Sequence, residues 1–185
     1  MGFLTEDQLA NLGLKSYGDD VLISDKASIY SPELISIGNN VRIDDFCILS
    51  GNIILGSYIH ISAYSALYGK FGIEMQDYTG LSPRCTIFSA SDDFTGNYLI
   101  SPMVPDEYTN VVGGKVSINR FSQIGAGTTI LPNVTIGEGV AVGAMSLINK
   151  ALVPWTIYAG IPVKPIKKRS QNLLKFAQEI EHKRH

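Results

Sequence analysis

An aliphatic side chain returns every sixth residue along most of this chain. From Ile124 to Met145, IGAGTTILPNVTIGEGVAVGAM, the series is Ile124, Ile130, Ile136 and Val142. Upstream it runs Ile23, Ile29, Ile37, Ile43, Leu49, Leu55, Ile61, Leu67 and, after a small slip, Met75, Leu81 and Ile87; downstream it spans Ile118 to Ile148. Four residues after many of these stands a second, smaller residue: Val41, Cys47, Ile59, Ser65, Thr79, Cys85, Ser91, Ser122, Thr128, Val134, Val140 and Ser146. A helix repeats at about 3.6 residues and cannot carry this rhythm. A short strand that turns a corner every six residues can, because its side chains alternate and one inward position recurs on every face. Three such faces close a triangular coil, and coils stacked at about 4.8 Å pair their backbones and line their aliphatics into columns. One coil buries nothing alone, so stacking supplies the stability. Glycines after the aliphatics, Gly38, Gly56, Gly125, Gly137 and Gly143, are expected to relieve strain at the corners.

A chain of 185 residues that is 45% hydrophobic and 17% charged can bury such a core within one domain. A net charge of -2 disfavours a broad nucleic-acid-binding face. No apolar run approaches the roughly 18 residues that span a bilayer, and the acidic opening MGFLTEDQLANLGL is unlike a signal peptide. A cytoplasmic protein without a membrane span is expected. Cys47 and Cys85 both fall four residues after an inward aliphatic, so both should face the interior as free thiols.

The rhythm lapses between Ser89 and Val116, so residues 92–115 read as a long loop. Its aromatic residues argue against disorder. Thr5 and Gln8 form a capping box for a short helix ending near Gly13. SQNLLKFAQEIEHKR places Leu173, Leu174, Phe176, Ala177 and Ile180 on one helical side. The expected plan is an N-terminal cap over 1–20, a coil stack over 21–169 and a C-terminal helix over 170–185.

The hexads IGNNVR and IGAGTT, the stretch VTIGEGVAVGAM and the exit VPWTIYAGIPVKPIKK resemble the hexapeptide-repeat acyltransferases over about residues 20–169, particularly the galactoside and maltose acetyltransferase type. The resemblance implies a single-stranded left-handed parallel β-helix and a homotrimer. It also implies acetyl transfer from acetyl-CoA to a sugar or antibiotic hydroxyl or to an amino-sugar nitrogen. A hydroxyl of a small-molecule sugar or glycolipid-linked acceptor, in surface polysaccharide assembly, is the main expectation; antibiotic O-acetylation, amino-sugar N-acetylation and an inactive trimeric scaffold are the alternatives. The carbonic anhydrases on this fold need three His around a metal, and the repeat region has one, so no metal is expected.

A hydroxyl acceptor calls for a general base with a pKa of about 7, most often His. His182 and His185 lie in the charged tail, which leaves His60 at an outward corner. In the family the His ends the hexad before the long loop; here that hexad reads IFSASD and the position holds Asp92. The reading is a composite site, with His60 of one subunit as base and Asp92 of the next orienting it. Asp92 acting alone would need burial to raise its pKa. Ser62 stands where sugar-acetylating relatives carry Asn, and Tyr64 and Asp93 are further acceptor candidates. For the cofactor, the resemblance places the CoA arm against Ala126 and Ala144, with the Ala126 N–H toward the thioester oxygen. It places Asn149, Lys150, Lys164 and Lys167 around the nucleotide phosphates. Trp155 or Tyr158 could meet the adenine, although core packing suits both better.

Overall fold

The computed structural model describes residues 2–183 and shows a three-sided parallel coil. The first face carries Ser16–Tyr17, Ile35–Ile37, residues 53–55 and 73–75, Val116–Ile118 and Thr135–Ile136. The second carries Val21–Ile23, Val41–Ile43, Ile59–Ile61, Gly80–Leu81, Gln123–Ile124, Ala141–Val142 and Thr156–Ala159. The third carries Ser28–Tyr30, residues 48–50 and 66–68, Thr86–Phe88, Thr129–Ile130 and Leu147–Ile148. The strands Ile48–Leu55 and Ala66–Met75 run through the corner between the third and first faces.

The columns are those the six-residue period demands. On the second face Ile43, Ile61, Leu81, Ile124, Val142 and Tyr158 stack in register. On the third face Leu49, Leu67, Ile87, Ile130 and Ile148 do the same, all at 0% exposure. The smaller companions are buried with them, Cys47 and Cys85 included as free thiols. Burial pushes both thiols up to about 11, which makes them inert as nucleophiles. Ser91 alone of the companions stays half-buried, because there the chain leaves the coil. The slip before Met75 is two extra residues in Ala66–Met75, which turn Phe71 outward.

The corner glycines act differently from the expectation. The left-handed corner position is mostly not glycine: Phe46, Tyr64, Arg84 and Met145 occupy it at one corner, and Tyr58, Tyr78, Phe121 and Trp155 at another. Gly38 and Gly125 instead permit close stacking of coils. A Cβ on Gly38 would stand 2.6 Å from the Gly56 carbonyl oxygen, and one on Gly125 would stand 2.6 Å from the Ala144 nitrogen.

The cap helix α1 (Glu6–Ala10) has the reciprocal Thr5–Gln8 capping box and buries Leu9 against the first coil. Ser16–Tyr17 already belongs to the stack, so the cap is shorter than residues 1–20. The segment after Ser91 is a folded excursion: Ala90–Ser91 pairs antiparallel with Val112–Gly113, and the Leu99 N–H donates to the Tyr108 carbonyl. A last strand, Lys164–Lys168, turns back antiparallel on Thr156–Ala159. Helix α2 (Leu173–His182) then lies along the corner between the first and second faces, next to Tyr78 and Phe121. Arg169 fastens its approach by donating from Nη1 to the carbonyls of Phe121, Gly139 and Val140, at 2.7, 3.1 and 3.3 Å. His185 lies outside the described residues.

Candidate active site

Two corners collect the residues that carry chemistry. At the corner between the second and third faces, successive coils present Asp44–Asp45–Phe46, Ser62–Ala63–Tyr64, Ser82–Pro83–Arg84, Gly125–Ala126–Gly127 and Gly143–Ala144–Met145. The first residue of each triplet donates its N–H to the neighbouring coil, as Ser82 does to the Ile124 carbonyl and Gly125 to that of Val142. The middle residue's carbonyl accepts from the next coil, as Ala126 does from Met145 at 2.7 Å. Among the described residues the N–H groups of Ala126 and Ala144 have no acceptor. Both are therefore outward donors under methyl-sized side chains, and Pro83, which has no N–H, ends that column directly below Ala126.

The other corner, between the third and first faces, is where the excursion leaves. Phe88, Ala90, Ser91, Asp92, Phe94, Val112, Gly113, Leu131, Pro132 and Asn149 line a cavity of about 620 Å³ there. Asp92 is half-buried, and among the described residues its carboxylate has no hydrogen-bond partner. Its neighbour Asp93 is buried and committed locally: Oδ1 accepts from the Thr95 N–H at 2.7 Å, and the Thr95 hydroxyl and N–H hold its pKa below the usual carboxylate value.

His60 lies outward on the second face, and the carboxylate that orients it in this chain is Asp44. Nε2 sits 2.7 Å from Asp44 Oδ2, and Arg42 Nε donates to Oδ1 of the same carboxylate at 2.7 Å. Burial works to raise the Asp44 pKa, but the bonds and charges of Arg42 and His60 together hold it below its ordinary value. Asp92 belongs to the other corner, so in one subunit it has no part in holding the imidazole. The reason is the stacking: Arg42 and His60 are register partners on adjacent coils, which brings Asp44 alongside.

Ser62 is buried at 9% exposure, whereas Tyr64 is exposed and stacks on Phe46 with centroids 5.0 Å apart. Ser82, absent from the sequence-derived candidates, stands half-buried one coil below Ala126, within 3.5 Å of Gln123 Nε2. Its signal was the corner column shared with Asp44 and Ser62. The phosphate candidates divide: Lys164 and Lys167 are exposed on the final strand of the second face, while Asn149 and Lys150 are exposed beyond Leu147–Ile148 at the other corner. Trp155 and Tyr158 are structural. Trp155 lies tilted against Phe121, with ring centroids 6.3 Å apart, and the buried Tyr158 accepts at its hydroxyl from the Val153 N–H at 3.0 Å. Among the described residues no group of three or more His, Cys, Asp or Glu could hold a metal ion, and no helix is long and apolar enough to cross a membrane.

A stacked coil of hexads with an outward N–H column at one corner and a cavity at another is also what the comparisons with known proteins point to. The family model for bacterial transferase hexapeptide (six repeats) matches residues 111–150. The chain is 47% identical over 179 residues to the dTDP-4-amino-4,6-dideoxy-D-glucose acyltransferase of Escherichia coli, covering 95% of this chain and 93% of that protein. It belongs to the hexapeptide-repeat acyltransferases, whose fold is the left-handed parallel β-helix. Among solved structures it superposes with a TM-score of 0.95 on AntD, an N-acyltransferase from Bacillus cereus crystallised with dTDP and 3-hydroxybutyryl-CoA. That match is 52% identical and covers 98% of this chain and 97% of AntD. A maltose O-acetyltransferase from Clostridium difficile 630 is more distant, at 25% identity and a TM-score of 0.58 over 90% of this chain and 75% of that one. Other AntD crystals carry substitutions at a serine and an aspartate ten positions apart. Ser82 and Asp92 are the one Ser–Asp pair with that order and spacing here.

Proposed function

We propose that this chain is an N-acyltransferase that moves an acyl group from acyl-CoA to the amino group of a nucleotide-linked amino sugar of the dTDP-4-amino-4,6-dideoxyglucose class. This replaces a sugar hydroxyl as acceptor with the amino-sugar alternative. The carrying observation is Asp92, a carboxylate without a partner among the described residues, which lines the cavity where an O-acetylating relative would keep His. A hydroxyl needs a base matched to about neutral pH, which an ordinary carboxylate is not. A sugar amine needs less: it is nucleophilic once neutral and arrives as a cation that a carboxylate attracts. The names of the relatives support the same choice.

In this reading Asp92 holds the ammonium and takes its proton. The nitrogen lone pair attacks the thioester carbonyl, the Ala126 N–H stabilises the oxygen as it gains charge, and the intermediate collapses with cleavage of the C–S bond. An amide forms, and the CoA thiolate leaves with a proton. Ser82 steadies the amino group from one coil below. Ala126 and Ala144 line the pantetheine arm, and Asn149, Lys150, Lys164 and Lys167 meet the nucleotide end. His60, held by Asp44, is a second proton acceptor lower on the corner. Tyr64 flanks the acceptor, while Ser62 and Asp93 support the corner and the loop.

These assignments require a homotrimer. The third face presents two outward columns, one with Tyr30, Tyr68 and Phe88 and one with Ile48 and Leu147, and Tyr68 and Phe88 stack at 5.3 Å. Three copies that turn this face to a common axis abut opposite corners, so Asp92 of one subunit meets Ser82 and Ala126 of the next. The test is CoA-thiol release with the protein's own trimeric mass established first. dTDP-4-amino-4,6-dideoxyglucose should be turned over to an amide detected by mass spectrometry, and maltose, galactosides and chloramphenicol should not. Release with the hydroxyl acceptors and none with the amino sugar refutes the proposal.

A further inference from the structure

The corner that carries Ser82 and Ala126 holds an aromatic and cationic column that, among the described residues, no helix or loop packs over; only the Lys26 ammonium approaches it, 5.7 Å from the Phe46 centroid. Phe46 and Tyr64 stack there at 5.0 Å and remain 47% and 56% exposed. Above them the Arg84 guanidinium lies 6.0 Å from the Tyr64 ring centroid. All three occupy left-handed backbone, at φ of 60, 62 and 62°. The comparable ladder of Tyr58, Tyr78, Phe121 and Trp155 at another corner adjoins α2 and Arg169. The Phe46–Tyr64–Arg84 column has no such neighbour.

Arg84 also differs from the other described arginines. Arg42 is bound to Asp44, Arg120 to Glu181 and Arg169 to three carbonyls. Among the described residues Arg84 has no carboxylate or carbonyl partner, only the Tyr64 ring. A guanidinium resting on an aromatic face keeps its N–H fork in plane and free, which is the arrangement for bidentate contact with phosphate oxygens. Its position fits one ligand. Arg84 lies two residues beyond Ser82 on the same turn, on the side of Ala126 away from Ala144, so it is remote from the direction the CoA arm takes. A 4-amino sugar puts its amine and its diphosphate on opposite ends of one pyranose ring.

The geometry points to Arg84, braced by Tyr64, as the residue that binds the diphosphate of the nucleotide-sugar acceptor and thereby selects activated over free sugars. This rests on the proposed function and specifies its acceptor site. Arg84→Ala should raise KM for the dTDP-amino sugar about 10- to 100-fold, the usual cost of a hydrogen bond to a charged group, and leave KM for acyl-CoA within about twofold. Calorimetry should show the same weakening for dTDP and none for thymidine. Arg84→Lys should fall between, because it keeps the charge and loses the fork. Lys26→Ala, which removes the cation over Phe46 already paired with Asp45, should leave dTDP binding unchanged. Unchanged dTDP affinity in Arg84→Ala overturns the assignment and leaves the acyltransferase reading intact; so does dissociation of the Arg84→Ala trimer, which would make Arg84 an interface residue. Wild-type protein that binds CoA but neither dTDP nor the amino sugar would instead bring down the acceptor class itself.

Discussion

Replacing Asp92 by Asn separates chemistry from folding. The carboxylate has no partner among the described residues, so nothing in the fold is lost with its charge. What is lost is its attraction for the amine. At about 4 Å and an effective dielectric of about 20, a carboxylate–ammonium pair is worth about 4 kcal/mol. The walls beside it include Phe88, Phe94, Val112 and Leu131. At 1.36 kcal/mol per decade, this predicts a fall of about 1,000-fold in kcat/KM, inside the roughly 100- to 10,000-fold range of a positioned proton acceptor. The melting temperature should move by less than about 2 °C. Asp93→Ala provides the contrast, because Asp93 spends its carboxylate on Thr95. It should cost about 1 kcal/mol of stability, about 2 to 4 °C, and less than about tenfold in rate. Both are measured by thiol release under first-order conditions in the amino sugar, with melting followed by circular dichroism. An Asp92→Asn enzyme within tenfold of wild type, or one in which Asp93→Ala carries the thousandfold loss instead, refutes the reasoning.

His60→Ala should cost less than about tenfold in kcat/KM, below the range of a principal base; a loss of 100-fold or more would return the proton transfer to His60. The Asp44 cluster should appear in acid titrations. With its folded pKa held below the ordinary 3.8, Asp44 contributes stability that is present above that value and lost as pH falls through the lower folded one. The stability gap between wild type and Asp44→Asn should therefore be full at pH 6 and close below about pH 4, and a gap independent of pH would contradict the pairing. Arg169→Ala should lower the melting temperature by about 4 to 8 °C, from about 2 kcal/mol lost when one charged donor abandons its carbonyls. No shift would mean that α2 is held by its apolar contacts alone.

Most of the scaffold could be read from the sequence because a six-residue coil makes inside and outside a local property. Ile43 and Ile61 fall in one column, and Cys47 lands beside them, whatever the rest of the chain does. The contacts of outward residues obey a longer and irregular period. Arg42 and His60 are register partners at a separation of 18, whereas Gly80 and Gln123 are partners at 43 because the excursion intervenes. A hexad alone therefore could not show that Asp44 of the same chain meets His60, or that Ser82 stands under Ala126. The glycine reading failed for a related reason. Whether Gly38 turns the chain or admits the next coil depends on the carbonyl of Gly56 above it, which the local sequence does not contain.

The same logic explains why the acceptor chemistry was the hardest part to read. A residue on a face answers to its own coil, a residue at a corner to the coils above and below, and a residue in a cleft between copies to another molecule. In the proposed trimer Asp92 belongs to the last group. Read within its hexad it is a defective histidine position, since a carboxylate cannot easily deprotonate a sugar hydroxyl. Set, as proposed, opposite the Ser82 and Ala126 corner of a second copy, with Arg84 on the same turn as Ser82 to hold the acceptor's diphosphate, it becomes the anion that a cationic sugar amine requires. On the proposed function the change of residue type is a statement about the nucleophile, and the charge that Asp92 balances is that of the amine.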